Sequence, residues 1–137
     1  MPCSWHWRAP TSSQAKQTEL EIASFNTISR APYQKDYDAI VDVWIGERTA
    51  RFALEYERTL KSFKQYEHIR AALEAEEQIG FVLYLTSGME VLDLLREFRA
   101  SRKRLAFAGA TTFERHLLDT TVTGSDGITA RFRDLLQ

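Results

Sequence analysis

Cysteine is nearly absent from this chain. Cys3 stands alone among 137 residues, which excludes an internal disulfide and any cysteine-based zinc set. His6 and His116 have no partners at ligand spacing. No segment reaches the roughly 18 apolar residues of a membrane span, and the opening MPCSWHWRAP contains no apolar run of signal-peptide type. A cytoplasmic protein with no membrane partner is the expectation. Charge excess is missing too: the net charge is −1, so no bulk attraction draws the chain to nucleic acid. DNA binding would need a local basic patch, another domain or another subunit. There is no P-loop, GxGxxG, Ser-His-Asp arrangement or internal repeat.

What remains is an ordinary globular composition, 44% hydrophobic and 27% charged. The length suits one domain, burying roughly two-thirds of its unfolded surface. Residues 1–18 read as an irregular N-terminal segment in which Trp5, His6 and Trp7 offer a short edge strand or an aromatic flap. Residues 19–137 read as a single α/β domain.

The organising stretch is Asp36 to Arg58, DYDAIVDVWIGERTARFALEYER. It alternates with period two on both sides of Ile45-Gly46-Glu47-Arg48, the pattern of two strands joined by a type II′ turn with glycine first. Opposed residues then have numbers summing to 93. One face carries Ala39, Val41, Val43 and Ile45 against Ala50, Phe52, Leu54 and Tyr56, a core face. The other pairs Trp44 with Thr49, Asp42 with Arg51, Ile40 with Ala53, Asp38 with Glu55 and Asp36 with Glu57. Directly opposed like charges repel. Four carboxylates in a two-by-two block need a divalent cation, raised pKa values or a solvated face. Oxygen-only ligands from two strands suit magnesium or manganese; a wet, acidic strand end without function is the plain alternative.

An aspartate early in one strand and Glu-x-(Glu/Lys) late in the next resembles the PD-(D/E)XK nuclease superfamily. More narrowly, YDAIVDVWIGERTARFALEYERT, followed by a helix and the strand FVLYLT, resembles the nuclease-like domain of bacterial replication-relaxation (plasmid mobilisation) proteins, over about Glu19 to Phe113. The resemblance implies a restriction-endonuclease-like fold and a DNA partner. Asp38 and Glu55 would hold Mg2+ (or Mn2+), with Glu57 as a further ligand or water-positioning base. Two departures stand out. Tyr37 replaces the motif proline, and Glu57 occupies the usual place of the catalytic lysine. Lys61 or Lys64, on the following helix, would then supply the cation. The alternative is a catalytically inactive nuclease-like fold serving as a binding or assembly module. Members of that family carry a winged-helix domain ahead of this part; none is visible here, so a truncated or rearranged member is expected.

The rest of the chain fills in the sheet. Glu19 to Phe25 alternates as an edge strand, with a short helix as competitor. Thr59 is a candidate N-cap for a helix through about Glu77, with Leu60, Phe63, Tyr66, Ile69 and Leu73 inward and Lys61, Lys64, Gln65 and His68 on a second stripe. Ile79 to Thr86 is a strand buried on both faces. Ser87-Gly88-Met89-Glu90 has capping-box form and opens a helix with Val91, Leu92, Leu95 and Phe98 inward. The basic run Arg99 to Arg104 closes it, suited to helix-end solvation or a phosphate contact. Leu105 to Ala108 is a buried strand, and Thr111 to Glu114 a second capping box, opening a helix through Leu118. Thr120 to Thr123 is a short strand, and Ile128 to Leu136 a terminal helix with Ile128, Phe132, Leu135 and Leu136 inward. The fold expected is α/β: a mixed β-sheet with a central β-hairpin flanked by helices, in two or three layers.

Overall fold

Alternating small and β-branched residues fix the centre of the molecule. The computed structural model describes residues 15–18 and 33–136. Strands β2 (Ala39–Ile45) and β3 (Arg48–Glu57) pair antiparallel, from Ala39 opposite Leu54 to Ile45 opposite Arg48. The register is the expected one. Gly46 has φ of +64°, while Glu47 is not among the positive-φ residues, the sign pattern of a type II′ turn.

Among the described residues the sheet has seven strands, in the same order in space as in sequence. β1 (Ala15–Thr18) pairs antiparallel with β2, so residues 15–18 are a strand and not part of an irregular segment. β4 (Phe81–Thr86) and β5 (Arg104–Gly109) lie parallel to β3, and β6 (Thr121–Gly124) and β7 (Thr129–Arg131) complete the far edge antiparallel. The parallel neighbours require crossovers, supplied by α1 (Phe63–Ala75) and α2 (Val91–Phe98). Both helices pack on one face, where Tyr66, Leu73, Leu94, Leu95 and Phe98 meet Ile40, Ala53, Val82, Tyr84 and Phe107. The opposite face, including Val41, Val43, Phe52 and Leu54, is covered by Phe113 of α3 (Ala110–His116), by Leu118, and by Phe132 of α4 (Phe132–Leu135). The result is a mixed α/β sandwich of three layers.

Several local expectations are corrected. α1 begins at Phe63, not after Thr59, because Ser62 and Gln65 form a reciprocal capping box. That phase turns Phe63 outward, 71% exposed, and leaves Leu60 outside the helix, 47% exposed. Tyr66 and Leu73 are the buried residues, with Ile69 packed beside them. Ser87 does not cap α2: the N-cap is Glu90, without a side-chain bond, and Leu94 replaces Leu92 on the buried face. α3 starts one residue before Thr111, capped by Gly109 without a side-chain bond.

The terminal helix expected from Ile128 is instead strand β7 followed by one turn of α4, with Ile128 exposed. Gly127 at φ +86° turns the chain, and the Ile128 N–H donates to Asp126 Oδ1 at 2.9 Å. Asp-Gly between threonine-rich runs is a hairpin signal, and it prevails here over the helical spacing of Ile128, Phe132 and Leu135. The proposed strand at Glu19 to Phe25 and the Trp5-His6-Trp7 segment lie outside the described residues. Among the described residues no helix is long and apolar enough to cross a membrane.

Candidate functional site

β3 turns Glu55 and Glu57 to the same face, since they are two residues apart, and both are buried. Their neighbour on the inner side is Tyr84 of β4, in register with Glu55. Two carboxylates on a covered strand end must be neutralised or lose their charge. The protein supplies a separate cation to each.

Glu55 is met by Lys35, whose ammonium contacts Oε2, while the Asp38 N–H donates to Oε1 at 3.1 Å. Asp38 in turn accepts the Tyr56 N–H on Oδ2 at 2.6 Å. The ladder of β2 ends at Ala39, so these two bonds tie Asp38 to Glu55 and Tyr56 of β3 just beyond it. Asp36 lies exposed ahead of the strand, and no two-by-two block of facing carboxylates forms. Burial pushes the Glu55 carboxyl up to about 7, with the Lys35 ammonium opposing and Asp38 adding to the rise. Lys35 is itself held above the usual lysine value: burial, the largest single influence, would lower it, but Glu55 with Asp38 and Glu57 together more than offset it.

Glu57 is served from the other side. Lys61 contacts Oε1, and the Tyr66 hydroxyl donates to Oε2 at 3.0 Å. Burial, with the Glu57 charge adding, pushes the Tyr66 hydroxyl up to about 12, against a bond from the Lys61 N–H. The Tyr84 hydroxyl shares this environment. It is buried with no hydrogen-bond partner among the described residues. Burial and the charges of Glu55 and Glu57 raise its pKa well above the ordinary tyrosine value.

The segment carrying Lys35 is anchored at a distance. Glu76, buried at the end of α1, accepts the Gln34 N–H at 3.0 Å and the Tyr37 hydroxyl at 2.8 Å on Oε1. Its Oε2 accepts the Gln78 N–H at 3.0 Å. Bonds on both sides of Lys35 fix the backbone from which it reaches Glu55. Tyr37 is fully buried with its ring edge-on to Tyr33 at 6.2 Å. At the place of the motif proline, this residue locks the loop through its side chain.

Of the residues singled out in the sequence, Asp38, Glu55, Glu57 and Lys61 come together, with Lys61 just before the helix and not on it. Lys64 remains exposed and forms no ion pair with the cluster among the described residues. Sequence reasoning missed Lys35, Glu76, Tyr66 and Tyr84. Position Glu55 in register with Tyr84 could have suggested the last, given that FVLYLT was expected to be covered on both faces. Nothing local marks Lys35.

Both oxygens of Glu55 and of Glu57 are therefore occupied by protein donors. Among the described residues no group of three or more His, Cys, Asp or Glu side chains is placed to hold a metal ion. Comparison with known proteins gives no match, whether to a family model, a curated protein or a solved structure.

Proposed function

We propose that this chain is a restriction-endonuclease-like domain acting in DNA or plasmid metabolism, of the PD-(D/E)XK kind seen in replication-relaxation proteins, and that it hydrolyses phosphodiesters with magnesium or manganese. One observation carries the reading: Lys35 stands against Glu55 beside Asp38. The pattern lacks a lysine at Glu57, and Lys35 provides one in space.

Asp38 and Glu55 are joined through the Asp38 N–H and set near the buried Tyr84 hydroxyl, which has no hydrogen-bond partner among the described residues. They fit a hard cation, which needs only one or two carboxylates when water and phosphate complete its shell. Asp38 and Glu55 would hold it; Glu57, already bound by Lys61 and Tyr66, would act by positioning Lys61. The bound ion supplies Lewis acidity and a water of lowered pKa. Lys35 occupies the Glu55 oxygen that the ion would use, so lysine and ion compete for it. The Lys35 ammonium, held beside Glu55, would offset negative charge developing on the phosphate. Lys61 borders the same strand end, paired with Glu57.

Nicking of supercoiled plasmid tests this. Wild-type protein should nick in magnesium or manganese, and Glu55→Gln and Lys35→Ala should each reduce the rate by about a hundredfold or more. Divalent ions should raise the melting temperature beyond a sodium chloride control of matched ionic strength, and Glu55→Gln should remove that rise. The engagement of every Glu55 and Glu57 oxygen favours a second reading, an inactive nuclease-like fold used for binding or assembly. Absence of nicking, together with a divalent effect no larger than sodium's, selects it.

A further inference from the structure

Directly beyond Glu57 the chain changes character. Arg58 to Gln65 is exposed at every position. It contains Arg58, Lys61 and Lys64, and no acidic residue until Glu67. Leu60 and Phe63 project from it, 47% and 71% exposed. Single exposed apolar residues are ordinary; an aromatic ring set among cations, next to a candidate phosphodiester site, is a different arrangement. Some exposed arginines of this chain are tied to acids, as in Arg51 with Asp42, Arg96 with Asp93 and Arg131 with Asp134, while others, such as Arg99 and Arg115, form no ion pair among the described residues. Arg58 and Lys64 have no carboxylate partner among the described residues.

The helix end of this segment is capped. The Ser62 side chain accepts the Gln65 N–H at 3.2 Å, and the Ser62 N–H donates to Gln65 Oε1 at 2.9 Å. Phe63, the first helical residue, is thus held outward by a closed cap, so little ordering cost remains to be met on binding. Lys61 is fixed at the same time by Glu57, with its ammonium 5.9 Å from the Tyr66 ring centroid.

We propose that residues 58–64 form a single-strand nucleic-acid platform, with one unpaired base stacked on Phe63 and its flanking phosphates held by Arg58 and Lys64. A stacking platform can be used only by a base whose face is free, which a continuous duplex does not offer. Cations spaced along the same segment match a backbone passing over it, and the acid-free stretch removes local repulsion. The platform rests on the reading of the adjacent carboxylates as a DNA-processing site, and names its substrate: a single strand, flap or frayed end running past Phe63 towards Glu57 and Glu55. Leu60 offers apolar contact to the same base or its neighbour.

The test is anisotropy of a short fluorescent single-stranded oligonucleotide and of its duplex, both in EDTA, with the full chain. Binding without metal separates this proposal from the hydrolytic one, since either can fail while the other stands. Wild type should prefer the single strand. Phe63→Ala should weaken single-strand binding about five- to a hundredfold and leave duplex binding and the melting temperature unchanged, and Phe63→Trp should restore affinity. Lys64→Ala should reduce the salt slope of single-strand binding by about 0.7. Equal affinity for both forms, no binding of the single strand, or a Phe63→Ala variant that binds it like wild type would each overturn the platform.

Discussion

Two of the ion pairs on one face of the central hairpin differ in nearly every respect. Near the turn, Arg51 holds Asp42 through two bonds of 2.6 and 2.8 Å between directly opposed residues, with the side chains 51% and 32% exposed. At the open end, Glu55 meets Lys35, with the side chains 5% and 19% exposed. The first pair has ideal geometry and lies in water; the second is covered by α1 and by the loop that Glu76 anchors. Geometry alone would rank them alike. Burial separates them, because a charge that cannot be rehydrated depends on its partner, whereas an exposed one does not.

Removing the partner cation gives the largest expected effect. Lys35→Ala leaves Glu55 buried without its ammonium and should cost about 3 kcal/mol at neutral pH, measured by urea denaturation. That is the low end for a broken buried pair, because Glu55 can take up a proton. Lys35→Met combined with Glu55→Gln should recover most of the loss, since a neutral pair of similar shape requires no compensation. A loss below about 0.5 kcal/mol for Lys35→Ala would place the two pairs in one class and remove the distinction.

The second effect follows from the sign of the Glu55 displacement. Its folded pKa, about 7, lies above the 4.5 of the free side chain. Between those values the folded protein binds more protons than the unfolded chain, so stability falls as pH rises through this window. The slope cannot exceed one proton, about 1.4 kcal/mol per pH unit. Lys35 is displaced upward from 10.5, so it stays charged throughout this range and loses its proton only in alkali. Glu55→Gln should flatten the stability profile between pH 4.5 and 7, because the titrating carboxyl is gone. An unchanged slope would mean that Glu55 titrates like a solvated carboxylate.

The same contrast explains what could be read from the sequence. Asp42 and Arg51 are opposed because period-two alternation and Gly46 set the register, and every residue needed lies within the hairpin. That local pattern identified the core face and brought Asp38 to Glu55. Lys35 approaches Glu55 from a loop whose path depends on Glu76, forty-one residues further on, and no spacing rule links them. Phe63 was misplaced for a simpler reason. Its apolarity suggested core, while the Ser62–Gln65 cap, present as Ser-x-x-Gln, sets a phase that puts Tyr66 inward. At the C-terminus, Ile128, Phe132 and Leu135 imitate helical spacing, and the Asp126-Gly127 turn sets a hairpin instead. Apolar spacing fails at both places where a short polar motif fixes the backbone first.

The smallest effect belongs to the exposed pair and sharpens the comparison from its other side. Arg51→Ala removes both bonds to Asp42, yet water can solvate the freed carboxylate, and the long arginine side chain regains its freedom. The expected loss is about 0.2–1 kcal/mol, despite two short, well-directed bonds. Salt should affect the two pairs differently as well. Near 1 M sodium chloride the screening length falls to about 3 Å, so the difference between wild type and Arg51→Ala should nearly vanish. The Lys35→Ala deficit should persist, because ions cannot enter between buried partners. A double-mutant cycle of Arg51→Ala with Asp42→Ala, measured at low and high salt, isolates the coupling from changes in strand propensity. A coupling above about 2 kcal/mol that survives high salt would show that the open strand face is desolvated as far as the turn, and burial would no longer distinguish the two ends of the hairpin.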